Sequence, residues 1–461
     1  MRFCDMEQAG VAILGVGRGG QAVWRQIRRR YPRKPLALFS ESAIGDEFKQ
    51  QLDPDIDELH IGPLEVAGLK QFDVLVRSAG ISIYRDELVQ LRSLGVQFTS
   101  ASSLWFAENP GSKTICISGT LGKSTTAKLT AHLLNRAGVK ACLAGNIGRP
   151  MLDCEDETAH WWVIELSSYQ ISDLQAKPDI AVLLNVSAEH LDWHRGFEHY
   201  KTDKLRLARL AAGCPVIANF SDKVLVENLR HYPGIVWFNR TGAWQAGKTS
   251  VFRRPVKTVQ RRISEYGLSA TGPSHVTAPA SLPGEHNMEN LAAALTVVDT
   301  LGLDIPRLDE ALASFSGLPH RLQLIGERDG TRYINDSIST TPVSVAAALQ
   351  TIGNQDVVLL LGGLDRGLDW SGFAREISGR TPHAIITMPD NGQKIFDCLQ
   401  AARVEPDGGL HRVSCLKEAV SLASNLVPPK GCVLLSPGAP SFPHFRDYAD
   451  RGEQFTKFSG F

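Results

Sequence analysis

Three things are missing from this chain, and each absence removes a class of protein. The eight cysteines (Cys4, Cys116, Cys142, Cys154, Cys214, Cys398, Cys415 and Cys432) are scattered, with no CxxC pair and no histidine at zinc-finger spacing. That excludes a disulfide framework or a zinc module, and the thiols are expected to be reduced and mostly buried. There is no charge imbalance: Lys plus Arg and Asp plus Glu both number 49. No overall field therefore draws nucleic acid or anionic lipid, and any phosphate must be held by local sites. Finally, no run reaches about 18 apolar residues, and the first ten, with Asp5 and Glu7 among them, lack a basic and then apolar leader. The expectation is a cytoplasmic protein with no membrane insertion and no nucleic-acid partner.

What is present is a long globular chain. At 461 residues, 43% hydrophobic and 21% charged, it exceeds what one ordinary core holds, and three domains are expected. Short β-branched runs alternate with amphipathic helices from end to end, the pattern of an α/β protein with parallel sheets. Strands are predicted at 11–14, 73–77, 114–118, 357–361 and 433–435, and helices at 21–30, 87–94 and 125–137, the last burying Leu129, Leu133 and Leu134 and stopping at Gly138. Between about 251 and 282, polar and apolar residues alternate with Gly and Pro, which predicts short antiparallel strands. Helical pattern resumes at Asn287. Polar residues 109–112 and the triplet Gly317, Leu318, Pro319 read as boundaries, giving domains 1–110, 111–317 and 318–461.

Two turns carry phosphate chemistry. Between a predicted strand and helix lie Gly119, Thr120, Leu121, Gly122, Lys123, Ser124 and Thr125. Glycines let backbone N–H groups close on an anion, Lys123 can reach terminal phosphates, and the Ser124 hydroxyl can ligate Mg²⁺. The loop is shorter than the common P-loop, whose first glycine would fall at Ile117. The bland reading is a glycine-rich turn with a solvent-facing lysine. Nearer the N-terminus, Gly15, Val16, Gly17, Arg18, Gly19, Gly20 follow a strand and precede a helix, with Glu41 some way on. Alone, this GxGxxG turn fits a nicotinamide oxidoreductase, the acid holding a ribose. Such a turn equally cradles the pyrophosphate of a nucleotide-linked substrate, and two phosphate turns on two domains favour that substrate plus ATP.

The combination resembles the Mur ligase family, and within it the muramoyl-alanine glutamate ligases of the MurD type, over essentially the full length. The loop 118–125 resembles that family's T-G-x-N-G-K-[ST]-T, with Leu121 where Asn is common; 145–148 resembles its GNIG turn and 164–170 its ELSS[FY]Q. Asn185 with His190, Leu191, Asp192 is similar to N-x-x-x-x-H-[LM]-D, and further matches fall at 200–205, 284–290, 318–321 and Asn335, Asp336, Ser337. The resemblance implies a Rossmann-like N-terminal domain, a P-loop NTPase-like central domain and a Rossmann-like C-terminal domain. It implies an ATP-dependent carbon–nitrogen ligase that activates the carboxylate of UDP-N-acetylmuramoyl-L-alanine as an acyl phosphate, with ATP and two Mg²⁺ ions.

By resemblance the catalytic set is Lys123, Glu165, His190 and Lys204. Ser124 and Glu165 would hold one ion, His190 and Lys204 (as a carbamate) the other. ATP would also meet Gly119, Thr120, Gly122, Thr125, Asn287 and Asn290, with Arg321 and Asp336 reaching it from the third domain. Gly15, Gly17, Arg18, Ser40, Gly80 and Asn146 would bind the UDP-linked substrate. Each residue also has a plainer reading: a packed histidine, a surface lysine, a capping Asn or Glu.

The incoming amino acid is glutamate by resemblance, held by Arg366, Thr340, Ser441 and Tyr448. After Asn335, Asp336, Ser337 the chain continues Ile338, Ser339, Thr340 instead of the usual Lys-Ala-Thr, so a charge-assisted contact is lost. With Pro440 and Pro443 stiffening a nearby loop, the pocket resembles a divergent subgroup that adds L-glutamate and relies on a separate glutamyl epimerase; the alternative is D-glutamate. Other readings are a folylpolyglutamate synthase-like ligase and a catalytically silent nucleotide-binding regulator. A monomer is expected.

Overall fold

Fully apolar runs bounded by turn residues become buried parallel strands, and three such runs seed the three large sheets of the computed structural model. It describes residues 1–147, 149–154, 157–253, 275–279, 281–353 and 356–461. The chain divides into two compact units, the first formed by Met1–Pro279 with Glu285–Phe315, the second by Ser316–Phe461 with 281–284.

The first unit holds two parallel sheets. One consists of β1 (Val11–Leu14), β2 (Leu36–Ser40), β3 (Asp57–Ile61), β4 (Val74–Arg77) and β5 (Gln97–Ser100), in the order β3-β2-β1-β4-β5. The other consists of β6 (Thr114–Ser118), β7 (Ala141–Gly145), β8 (Trp161–Glu165), β9 (Ile180–Leu183), β10 (Val216–Asn219) and β11 (Ile235–Phe238), in the order β11-β10-β9-β6-β8-β7. In each, the first strand has later strands on both sides. The chain order therefore reverses beside β1 and beside β6, and ligands of open α/β sheets bind outside the carboxyl ends of strands at such reversals. The two glycine-rich turns follow β1 and β6.

A small antiparallel sheet, β12 (Gln245–Ala246), β13 (Ser250–Phe252) and β14 (His275–Thr277), completes this unit. It agrees with the predicted change of pattern, though 254–274 lie outside the described residues. The second unit has one six-stranded sheet in the order β15-β16-β20-β17-β18-β19: β15 (Gln323–Arg328), β16 (Thr331–Asn335), β17 (Val357–Gly362), β18 (Ala384–Met388), β19 (Leu410–Arg412) and β20 (Cys432–Leu435). Only the β15–β16 pairing is antiparallel within it.

Predicted strand 114–118 matches β6 residue for residue, and all five residues are buried. The helices start earlier than predicted. The first spans Arg18–Arg30 because Gly19 and Gly20 lie inside its first turn; a Cβ on Gly20 would sit 2.1 Å from the Gly15 carbonyl oxygen. The helix after β6 spans Lys123–Arg136, with Leu129, Leu133 and Leu134 fully buried. It is followed by Gly138 at φ +79°, a left-handed residue that ends a helix without Cβ strain. The thiol expectation needs correcting. All eight cysteines are free, but only Cys116, Cys154 and Cys432 are buried; Cys142, Cys214 and Cys398 are half-buried, and Cys4 and Cys415 exposed. Cys142 lies on the edge strand β7 and Cys398 on the helix Gly392–Ala401, each only partly packed against a core. No described helix is long and apolar enough to cross a membrane.

Candidate active site

The loop after β6 is shaped by residues of the segment that follows β9. Asn185 Oδ1 accepts from the Leu121 N–H (2.8 Å), and the Asn185 amide donates back to the Leu121 carbonyl (3.2 Å). Thr120 Oγ1 meets the Tyr200 hydroxyl at 2.6 Å and accepts from the Ser187 N–H at 3.0 Å. Gly122 takes φ +83° directly before the helix Lys123–Arg136, a conformation that costs a residue with a Cβ about 1–2 kcal/mol. The helix therefore opens with its free N–H groups toward the loop, an anion-binding arrangement. Lys123 does not face solvent; its Nζ folds back and donates to the carbonyls of Gly119 (2.9 Å) and Thr120 (2.7 Å). On the loop's other side Asn290 Oδ1 accepts from Thr126 Oγ1 (3.1 Å), and Asn290 Nδ2 donates to Asn287 Oδ1 (3.0 Å). The Asn287–Asn290 pair thus sits against the P-loop, from the helix Glu285–Thr300.

Glu165 ends β8 beside this loop, where Leu166 N–H bonds to the Ile117 carbonyl (3.0 Å). It is 1% exposed. Its Oε1 accepts from Asn146 Nδ2 at 2.9 Å, and its Oε2 has no hydrogen-bond partner among the described residues. A buried carboxylate oxygen left unpaired is costly unless something else completes it. Gly145 is shaped by the same residue: it takes φ +106°, and a Cβ there would meet the Glu165 carbonyl oxygen at 2.3 Å.

Lys204, on the helix Phe197–Leu210, is also 1% exposed, its Nζ 4.9 Å from the Tyr200 ring centroid. Burial, then the charge of Lys123, holds its amine well below the usual lysine range. His190 is exposed, takes φ +56° and leads into the short helix Leu191–His194. Its ring lies 4.9 Å from that of Tyr169, and desolvation, opposed by the charge of Glu189 and helped by those of Lys123 and Lys204, lowers its basicity. The charges of Lys123 and Lys204 both act on His190, so the structure brings Lys123, His190 and Lys204 into one region. No cluster of three or more His, Cys, Asp or Glu side chains suited to a metal occurs among the described residues. Mg²⁺ does not need one, since it binds through one or two carboxylates plus waters and phosphate oxygens. The unpaired Glu165 Oε2 fits that requirement.

Of the residues expected to meet the UDP-linked substrate, all but Asn146 lie at the first sheet. Gly15 takes φ +84°, and its carbonyl accepts from Ser78 Oγ at 2.5 Å. Gly17 and Arg18 are exposed at the start of the helix Arg18–Arg30, and Ser40, at the end of β2, donates to the Ser42 carbonyl (2.7 Å). Glu41, which a dinucleotide reading would place on a ribose, instead pairs with Arg85 at 2.7 Å. Sequence reading missed Arg77. Fully buried at the end of β4, it pairs with Asp173 (2.7 Å) and donates to the carbonyls of Ser78, Ala79, Ile81 and Tyr169. Trp193 Nε1 donates to the Gly80 carbonyl at 3.0 Å. The turn 78–81 is thereby tied to the second sheet. Equally unanticipated is a buried chain in which Tyr84 OH donates to Asp203 (2.9 Å), Asp203 meets His194 Nδ1 (2.8 Å) and His194 Nε2 meets Ser168 Oγ (3.0 Å).

The second unit carries the remaining candidates. Asp336 is buried after β16, accepting from Ser339 Oγ (2.5 Å), Ser436 Oγ (2.7 Å) and the Leu322 N–H (3.1 Å). Burial, the largest effect, raises its carboxyl above the usual range. Arg321 is exposed and its charge acts on Asp336. Thr340 is half-buried, Ser441 buried, and Tyr448 and Arg366 exposed.

Residues 117–298 match the family model of the Mur ligase middle domain and 320–438 that of the Mur ligase glutamate ligase domain. A protein from Xanthomonas axonopodis pv. citri named UDP-N-acetylmuramoyl-L-alanine--L-glutamate ligase is 39% identical over 100% of this chain and 97% of its own length. The chain belongs to the Mur ligase family. A Xanthomonas euvesicatoria pv. vesicatoria protein of the same name is 40% identical, again over 100% of this chain and 97% of its own. Among solved structures, MurF from Acinetobacter baumannii is similar with a TM-score of 0.61 at 16% identity, covering 97% of this chain and 93% of that one, a likeness of fold. Like other Mur ligases, this chain is an amide-bond-forming ligase, which sets aside the oxidoreductase reading of the GxGxxG turn.

Proposed function

We propose that this Mur ligase uses ATP to join glutamate, L-glutamate in preference to D-glutamate, to the carboxylate of UDP-N-acetylmuramoyl-L-alanine through an acyl phosphate, in the cytoplasmic assembly of peptidoglycan precursors. The observation that carries the reading is the unpaired, buried Glu165 Oε2 beside a P-loop whose lysine also acts on buried Lys204. The names of two relatives that match over the whole of this chain support these substrates and the L-configuration.

Amide formation from a carboxylate in water is uphill, so the carboxylate must first be activated, and phosphoryl transfer is chiefly positioning plus charge neutralisation. Ser124 and Glu165 would hold one Mg²⁺, and His190 with Lys204 as a carbamate a second, where the ions would offset charge between the γ-phosphate and the attacking carboxylate. Lys204 suits carbamylation because a buried amine with depressed basicity is neutral, the form that adds to CO₂. Lys123 exchanges its two carbonyl contacts for terminal phosphates. Asn287 and Asn290 line the nucleotide side of the loop. The turn after β1 and the exposed Gly80 and Asn146 hold the UDP-linked substrate, while Arg321, Asp336, Thr340, Arg366, Ser441 and Tyr448 serve ATP and glutamate on the second unit. The protein acts as a monomer, and a separate glutamyl epimerase converts its product.

The test is phosphate release with UDP-N-acetylmuramoyl-L-alanine and ATP, comparing the two glutamate enantiomers. Release that depends on L-glutamate is expected. Release with D-glutamate alone would overturn the stereochemical assignment, and release with neither would overturn the substrate assignment.

A further inference from the structure

Arg451 is the second unit's most anomalous charge. It lies on the helix Tyr448–Ser459 yet is only 1% exposed. Nε donates to Ser337 Oγ (2.9 Å) and Nη2 to the Ser337 carbonyl (2.8 Å), but Nη1 has no partner among the described residues. No carboxylate pairs with it among them either, and desolvation alone pushes its guanidinium down to about 9. Buried charges are ordinarily paired, because an unpaired one loses several kcal/mol of hydration.

The guanidinium lines a cavity of about 280 Å³, where one water needs only about 10–15 Å³ of the same measure. The cavity lies at the carboxyl ends of β17 and β18, whose last residues Gly362 and Met388 line it, the ligand-binding edge of an α/β sheet. Its walls include Gly363, Met388, Ser441, His444 and Phe458. Gly363, at φ +149°, keeps the approach to Nη1 open: a Cβ there would lie 3.2 Å from Nη1 and 2.3 Å from the Pro440 carbonyl oxygen. The turn that Arg451 braces continues into apolar Ile338; two cations line this cavity, Arg451 and Lys417 at the start of the helix Leu416–Leu426, and of the two only Arg451 is buried. A planar guanidinium with a free edge, in a cavity that Ser441 also lines, matches a carboxylate.

We propose that Arg451, with Ser441, binds a carboxylate of the incoming amino acid in this cavity and so selects an acidic substrate. This rests on the reading of the chain as a glutamate ligase and assigns the anion's receptor within it. Arg366, exposed in the loop after β17, is then not the sole cation for glutamate.

The experiment measures KM for glutamate, ATP and the UDP-linked substrate in the full-length enzyme, in Arg451→Met and in Arg451→Lys. Loss of a charge-assisted contact should raise the glutamate KM about tenfold to a hundredfold in R451M, with the other two constants moving less than about twofold and R451K intermediate. The α-amide and γ-amide of glutamate tell which carboxylate meets Arg451: the wild type should reject that amide, and R451M should lose the discrimination. An unchanged glutamate KM in folded R451M, or a parallel rise in all three constants, overturns the inference. If R451M does not fold, R451K decides by the same split. Failure of the underlying reading looks different, since the unaltered enzyme would then show no glutamate-dependent turnover.

Discussion

Replacing Glu165 by glutamine should make the ligand-free protein more stable while abolishing its turnover. In the wild type, Oε1 is satisfied by Asn146 and Oε2 is buried and unpaired. The amide keeps the Asn146 contact through its carbonyl and puts a neutral group where a charged oxygen was orphaned. An unsatisfied buried group costs about 1–3 kcal/mol, more when charged, so the expected gain is about 1–3 kcal/mol. The first unit has about 310 residues, and at roughly 2.1 cal/mol/K of unfolding entropy per residue that gain raises its Tm by about 1.5–5 °C. Calorimetry on both proteins, with and without Mg²⁺ and ATP, reads the effect. The wild type should gain stability on adding Mg²⁺–ATP, by mass action, and the variant should gain much less. If Glu165→Gln instead lowers the ligand-free Tm, Oε2 holds the fold together rather than waiting for an ion. Undiminished phosphate release in the variant would equally refute the assignment.

Lys123→Ala should abolish phosphate release while leaving the Tm within a few degrees, because the loop carbonyls of Gly119 and Thr120 that accept from its Nζ can be satisfied by water; unchanged turnover would refute the P-loop assignment. Gly122→Ala forces a Cβ into φ +83° and to within 2.2 Å of Asn290 Oδ1. Strain of about 1–2 kcal/mol plus a lost hydrogen bond of about 1 kcal/mol should raise the KM for ATP tenfold or more, measured by ATP titration. Asp299, bonded to Arg253 (2.7 Å) and Trp244 (3.0 Å), has its carboxyl raised to about 6 by burial. The folded state then holds this proton more tightly than the unfolded one. Its contribution to stability is complete below about pH 4 and lost as pH rises through about 6, by up to about 3 kcal/mol. Asp299→Asn should flatten that part of a urea-denaturation profile taken from pH 4 to 7.

What could be read from the chain was what is local. β6 was legible because a fully buried apolar run lies between a polar linker and a glycine turn. The P-loop was legible because its chemistry spans seven consecutive residues. The starts of the helices at Arg18 and Lys123 were not, since glycines that permit close backbone approach look like loop residues in one dimension. The supports of the site were hidden for a different reason: Thr120 meets Tyr200 across 80 positions, Arg77 meets Asp173 across 96 and Tyr84 meets Asp203 across 119. Asn185 offered a signal, as the first residue of a quoted motif. Arg451 offered none, because an arginine among polar residues on a terminal helix reads as surface.

The fastening of the 78–81 turn by Arg77 and Trp193 means that the glycine turn after β1 and the P-loop after β6 are mounted on a single body, held at a set separation. Such a body works as a caliper. A molecule whose carboxyl group stands one sugar nearer to its diphosphate, or one residue farther from it, would be gripped at one end and miss the other, whatever its individual groups. If the two turns hold the substrate and ATP as proposed, the choice of acceptor is made by span.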